Sequence, residues 1–201
     1  MRRNPTRALP PVTPKVDGRH ARKARTREAI VNALLELLDE GHTEPTAAEI
    51  AARAKVAIRS IGQHFKSREE LLLAVAGRHS ARLPTPTPPS PGRSFEARLV
   101  HFVATRVRAL EASAAVRRAA QRGAGDSKAI TRALAETARK RREELQASLG
   151  TELKKAPAWL VSTAETLSSG AGWDALRHEQ KLSPAVAEQV IVQALKRLLQ
   201  P

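Results

Sequence analysis

The 201-residue chain contains no cysteine and no tyrosine, and its aromatic side chains are three phenylalanines and two tryptophans. Without cysteine there is neither a disulfide framework nor a thiolate metal site, a composition that fits a reducing compartment. Aromatics are 2% of the chain and hydrophobic residues 41%, so the core has to be built from Ala, Leu, Ile and Val. Ala and Leu are strong helix formers, whereas strands favour β-branched and aromatic side chains, and the expectation is an all-α fold. No run approaches the roughly 18 apolar residues of a membrane span, and the basic N-terminus is not followed by an apolar segment of the secretory kind. The reading is a cytoplasmic chain with no membrane partner. Enzyme signatures are also missing: there is no phosphate loop ending in Gly-Lys-Ser/Thr and no Gly-x-Ser-x-Gly elbow. His178-Glu179 begins a zinc-protease pattern, but Leu182 stands where the second histidine would be. No enzymatic activity, cofactor or metal is expected.

What the chain has in excess is positive charge, with 35 Lys and Arg against 20 Asp and Glu and a formal net charge of +15. Such a balance favours a polyanionic partner. Genomic bias toward Arg and Ala explains the charge of the C-terminal half equally well. The N-terminus is different, because nine basic residues from Arg2 to Arg27 are opposed only by Asp17. Pro5, Pro10, Pro11, Pro14 and Gly18 interrupt the same stretch, and residues 1–21 read as a flexible basic arm.

The first clear helix is expected from about Arg22 to Asp39. Ala29, Ile30, Ala33, Leu34, Leu37 and Leu38 form one buried stripe at helical spacing, and Gly41 stops it. Thr46 and Glu49 form a capping box for a short helix through Ala54, and Ser67 with Glu70 a second one before Leu71, Leu72 and Val75. Between them a third short helix runs from about Ile58 to Phe65. Residues 83–92 are dominated by proline, which removes a donor and clashes with the preceding turn, so they form an extended linker and a domain boundary. Residues 93–201 then read as a helical body. One long helix carries Phe95, Leu99, Phe102, Val103, Val107 and Leu110. A second carries Ile130, Leu134, Ala138, Leu145 and Leu149 and ends at Gly150. A third spans Trp159 to Ala171, and Ser183-Pro184 opens the last.

Two short helices joined by the three residues Lys55–Ala57 are the plan of a helix-turn-helix, whose second helix lies in the major groove of DNA. Arg59 and Gln63, four apart on one face of that helix, suit bidentate pairing with guanine and with adenine. Ser60 can reach a base or a phosphate, and Lys66 and Arg68 are placed for phosphate contacts. Thr46 and His64 complete the candidate DNA-binding set, with helix capping and packing as their respective alternatives. Between Arg22 and Ala76 the chain resembles the tetracycline-repressor (TetR) family of bacterial regulators. The amphipathic first helix closed by Gly41, Thr46 before Ile50-Ala51, and the run His64-Phe65-Lys66-Ser67-Arg68-Glu69-Glu70-Leu71 carry the resemblance.

The resemblance implies an operator of double-stranded DNA, a homodimer and a nucleoid-associated location. It also implies a body with a small-molecule effector pocket, whose last two helices pair with a second subunit. Phe102, Trp159 and Trp173 are the candidate pocket residues, with packing or dimer contact as the alternative for the tryptophans. Arg139-Lys140-Arg141-Arg142 reads as a solvated helix face or as a lure for an anionic effector. Three positions depart from the family pattern. Lys55 replaces the usual turn glycine and has to adopt a left-handed conformation or use another turn. Ala57 replaces the capping serine, at about 1 kcal/mol. Gly62 replaces a backbone-contacting tyrosine and lowers helix stability by about 1 kcal/mol relative to alanine. The function expected is a transcriptional repressor released by an effector. The alternatives are a dimeric ligand- or protein-binding module with a degenerate head, and a non-specific nucleic-acid binder.

Overall fold

A computed structural model of the chain describes residues 18–83, 92–125 and 127–199. The expected arm over residues 1–17 and the linker over 84–91 lie outside the described residues. Among those described there is no strand. The N-terminal helices are α1 (Gly18–Asp39), α2 (Ala47–Ala54), α3 (Ile58–His64) and α4 (Arg68–Arg82). The remaining ones are α5 (Phe95–Ala112), α6 (Ala114–Gly123), α7 (Lys128–Leu153), α8 (Ala158–Leu167), α9 (Gly170–Asp174) and α10 (Pro184–Leu199). A π-helical turn, Ala175–Glu179, follows α9.

Two apolar cores organise these helices. The first is centred on α1, where Val31 and Leu35 are buried in addition to the predicted stripe. The stripe is wider than expected because α1 is packed by α2, α4 and α6 and not on one side only. Ile50, Phe65, Leu71, Leu72 and Val75 join it, as do Val116 and Ala119 of α6 and Ile130 of α7. The second core holds the predicted stripe of α5, Leu145, Leu149 and Leu153 of α7, Trp173, and Ala187, Ile191 and Leu195 of α10. Each fully buried Leu or Ile contributes roughly 1.5–3 kcal/mol. α7 belongs to both cores. Its first turns pack against the head and its last turns against the body, while residues 135–140 between them are exposed.

Several boundaries differ from the sequence expectation for identifiable reasons. α1 begins at Gly18, so residues 18–21 are already helix. The chain breaks at Ser113, whose hydroxyl donates to the Ala109 carbonyl at 2.7 Å and separates α5 from α6. α7 does not stop at Gly150: it bends at Leu149 (φ −128°, ψ 19°) and continues to Leu153. Burial of Leu153 and the Arg98–Glu152 ion pair at 2.6 Å hold that last turn. The single helix expected over 159–171 is two. Ser169 Oγ accepts from the Gly172 amide at 3.0 Å and starts α9 afresh. Ala138, assigned to the apolar stripe of α7, is exposed.

Candidate nucleic-acid interface

α2 and α3 are held by local chemistry at each end. Thr46 Oγ1 accepts from the Glu49 amide at 3.2 Å, while Glu49 Oε2 accepts from the Thr46 amide at 2.7 Å. The capping box thus satisfies two amides that a helix start leaves unpaired. The Thr46 amide and the Thr46 hydroxyl, each donating to Oε2 at 2.7 Å, hold the Glu49 carboxyl below its ordinary range. The connection is tight because Lys55 takes the left-handed conformation (φ 54°, ψ 44°), and its amide donates to the Ala51 and Ala52 carbonyls. A lysine therefore occupies the strained position that favours glycine. At the next helix start Ala57 supplies no side-chain cap.

α3 presents the predicted readers outward. Arg59 and Gln63 are exposed on it and Ser60 is half-buried. Nothing lies within 4 Å of a Cβ built on Gly62, so α3 is open to solvent there. Ile58 stands out: it opens the helix and is 58% exposed, a large apolar side chain with no core to cover it. Sequence reasoning placed Ile58 only as a helix boundary. Spacing carried no signal for its exposure, because residues three apart share a helix face and Ile61 packs against the head core.

The C-terminal end of α3 is fixed from α1. Arg27 donates to the His64 carbonyl at 2.6 Å and to Glu70 Oε1 at 3.2 Å, and its guanidinium lies 4.1 Å from the Phe65 ring centroid. Arg27, counted with the basic arm in the sequence, thus acts inside the head. Glu70 does not close the second capping box by binding the Ser67 amide. Its Oε2 takes the Lys66 amide at 2.9 Å, while Ser67 Oγ accepts from the Glu70 amide at 3.1 Å. That Lys66 amide and then Arg27 hold the Glu70 carboxyl below its ordinary range. Phe65 is buried, whereas His64 is half-buried with its Nδ1 lacking a hydrogen-bond partner. Lys66 is exposed, and Arg68 donates to the Pro45 carbonyl at 3.0 Å, tying the start of α4 to the start of α2.

The candidate pocket residues are not brought together. Phe102 and Trp173 are buried in the body core, and Trp173 Nε1 donates to Glu111 Oε1 at 2.9 Å. Trp159 is 64% exposed on α8, beside α10, whose Val186 and Val190 are also exposed. Of the run at 139–142, Arg139 pairs with Glu136 and Glu143, and Arg142 with Glu165, on the helix surface. Arg141 instead turns inward and is half-buried.

α3 is thus a short helix that exposes a cation, an amide and an isoleucine on a head braced from behind. Residues 30–75 match the family described as bacterial regulatory proteins of the tetR family. The fold is similar to that of three crystal structures. One is a transcriptional regulator from Rhodococcus sp. Rha1, at 20% identity and a TM-score of 0.59, covering 89% of this chain and 96% of that one. A TetR transcriptional regulator from Rhodococcus sp. RHA1 aligns at 24% identity and TM-score 0.51, over 88% of this chain and 96% of its own. A TetR family transcriptional regulator from Pseudomonas syringae pv. tomato str. DC3000 shares 26% identity at TM-score 0.52, over 87% and 95% of the two chains. No curated protein matches the chain. Among the described residues no helix is long and apolar enough to cross a membrane.

Proposed function

We infer that this chain belongs to the tetR family of bacterial regulatory proteins and is a homodimeric repressor that reads a pseudo-palindromic operator and is released by a small molecule bound in its body. The match of residues 30–75 to that family supports a DNA-binding transcriptional regulator over an enzyme. The observation that carries the operator reading is the solvent side of α3, where Ile58, Arg59 and Gln63 are all exposed on a helix whose two ends are anchored by Lys55 and Arg27. Arg59 pairs with guanine, Gln63 with adenine, and Ile58 covers a thymine methyl. Lys66 contributes phosphate contact, which sets affinity and register. Arg68, already bonded to Pro45, positions α4 first and meets phosphate with its remaining donors.

Dimer formation is supported by Trp159, Val186 and Val190, an exposed apolar set on the adjoining helices α8 and α10. Pairing there sets the two copies of α3 into successive major grooves, about 34–36 Å apart. The absent cap at Ala57 and the open Gly62 favour a second reading, a dimeric binder whose head has lost its operator.

Selection of genomic fragments by the purified chain, followed by footprinting, separates these readings. A palindrome with half-sites one helical turn apart is the expected outcome, and Arg59→Ala then relaxes preference at one position per half-site by about 1–3 kcal/mol. Enrichment without a shared motif would leave only charge-driven binding, and a stable dimer that protects no site would replace the regulator reading with the second one. Removing residues 1–17 should weaken binding to all sequences and flatten its salt dependence.

A further inference from the structure

Away from the DNA-facing head, three helices each turn a guanidinium into the body. Arg106 of α5 and Arg117 of α6 are each 6% exposed, and Arg141 of α7 is half-buried. Arg141 is within electrostatic reach of each of the other two. Arg141 opposes the charged state of Arg106, and Arg117 that of Arg141. Two carboxylates face them: Glu144 Oε2 lies 2.9 Å from Arg106 Nη2, and Asp174 Oδ1 lies 2.7 Å from Arg117 Nη2. The backbone completes part of the set. Arg106 donates to the Arg141 carbonyl at 2.9 Å, and Arg117 to the Leu110 carbonyl at 3.0 Å. Arg117 Nε is buried with no partner. His178 lies 3.9 Å from Asp174 on the exposed side and brings no negative charge. The cluster therefore holds three cations against two anions.

Burial and mutual repulsion both disfavour an excess charge of this kind. Burial first, and then Arg141, bring Arg106 down to about 10 against the pull of Glu144. The backbone is nevertheless shaped to admit it. A Cβ at Gly170 would lie 2.6 Å from both Cδ and Nε of Arg117, so only glycine lets that side chain lie where it does. The surroundings restrict what completes the charge. The Arg106 guanidinium lies 5.0 Å from the Phe102 ring centroid, in a core that also holds Val103, Val107, Leu110 and Leu145. One excess positive charge among apolar walls matches a monoanion with a hydrocarbon body. A phosphate dianion matches neither feature.

We propose that Arg106, Arg117 and Arg141 recognise a small organic carboxylate with an apolar body, and that this carboxylate is the effector. Its action on DNA rests on the regulator reading above, but its binding does not. Arg141 is the outermost of the three and receives the ligand first. Planar guanidinium forks bind a carboxylate through paired N–H donors. The exposed stretch 135–140 of α7 adjoins Arg141, and the same helix carries Ile130 into the head core, so a ligand drawn in at Arg141 acts on the element that links body to head.

Thermal unfolding of the full chain tests the site without DNA, using octanoate and benzoate as probes, with octanamide, benzamide and inorganic phosphate as controls. The carboxylates should raise Tm saturably and the controls should not. Arg141→Gln should raise the Tm of the unliganded chain, because it removes the excess charge, and should shift the carboxylate midpoint about tenfold or more to higher concentration. Arg141→Lys, which keeps the charge and loses the fork, should fall between. The site is overturned by amides that match the carboxylates, by phosphate that saturates as they do, by no saturable shift with either carboxylate, or by an Arg141→Gln chain that is less stable than the original. The regulatory half is read separately, from operator affinity with and without the bound carboxylate. A probe that binds and leaves that affinity unchanged overturns the effector role alone.

Discussion

Three ion pairs of the head, Arg27–Glu70, Arg53–Glu40 and Arg78–Glu28, join side chains that are each about a third exposed or more. In the body, Arg98–Glu152 and Arg117–Asp174 join side chains between 5% and 22% exposed. The head thus has an apolar interior around α1 and keeps these charges outside, whereas the body, besides its surface pairs, carries some charge inward. The two arrangements have different energetics. A solvated pair gains little, because water screens it and two long side chains must be ordered. A buried pair is a weak stabiliser as a whole, but removing one member strands the other in a medium that cannot solvate it. Solvated cations of the head are therefore available to a polyanion, and the buried cations of the body are committed to partners within the fold or to a ligand that enters it.

The largest effect that sharpens this contrast is expected at Asp174. Asp174→Ala strands Arg117 and should destabilise the chain by about 3–5 kcal/mol, while Arg53→Ala in the head should scarcely move Tm. Equal losses from the two would erase the distinction. Next in size, Gly62→Ala should stabilise the head by about 1 kcal/mol, since it adds helix propensity where nothing stands within 4 Å. A lower Tm would mean that α3 has a packing partner after all. A comparable effect tests the apolar contact proposed between Ile58 and DNA. Replacing the contacted thymine by uracil removes one methyl and should weaken binding by about 0.8 kcal/mol, roughly fourfold. Ile58→Ala should be indifferent to that change, and equal sensitivity in both proteins would exclude Ile58 as the reader.

The smallest predicted effect is a pH dependence in the head. Burial holds His79 below its ordinary pKa, against the pull of Asp39, and its Nε2 has no hydrogen-bond partner. With the folded value below the unfolded one, the unfolded chain binds the proton first. Stability is then complete above the ordinary histidine value near 6.5 and falls as pH drops through it toward the folded value. Denaturant titrations at pH 7.5 and 5.5 should show the decline, and His79→Gln should reduce it. A decline of full size in that variant would assign the effect to other groups.

The head was the more legible region for a physical reason. Its organisation is written in local signals: the stripe of α1, the Thr46–Glu49 box and the three-residue turn all act within a few positions. For Lys55, standing at the family's usual turn glycine, the resemblance left a left-handed conformation or another turn, and the chain takes the first. Contacts closed across long separations left no such trace. Arg27 reaches His64 across 37 residues, and Arg117 meets Asp174 across 57. Nothing in a basic run distinguishes Arg141, which turns inward, from Arg142, which pairs with Glu165 on the surface. Phe102 and Trp173 could be read as apolar, but periodicity does not separate a core position from a pocket wall. Trp159, chosen because aromatics are scarce, proved to be a surface residue. The break at Ser168–Ser169 was hidden because apolar spacing continues through it while hydroxyls cap the new start.

The exposed middle of α7 has a further consequence for how the chain tolerates change. Residues 135–140 carry no core side chain, and by exposure alone they resemble a site that accepts insertions as surface loops do. They are instead a rigid spacer between two buried registers. One added residue would turn Ile130 and Leu134 by about 100° relative to Leu145 and Leu149, and lengthen the span by about 1.5 Å. Seven added residues would nearly restore the angle, to within about 20°, but push the registers about 10 Å apart. The stretch can therefore vary in residue type and drift freely under substitution, while its length is fixed by packing that lies outside it.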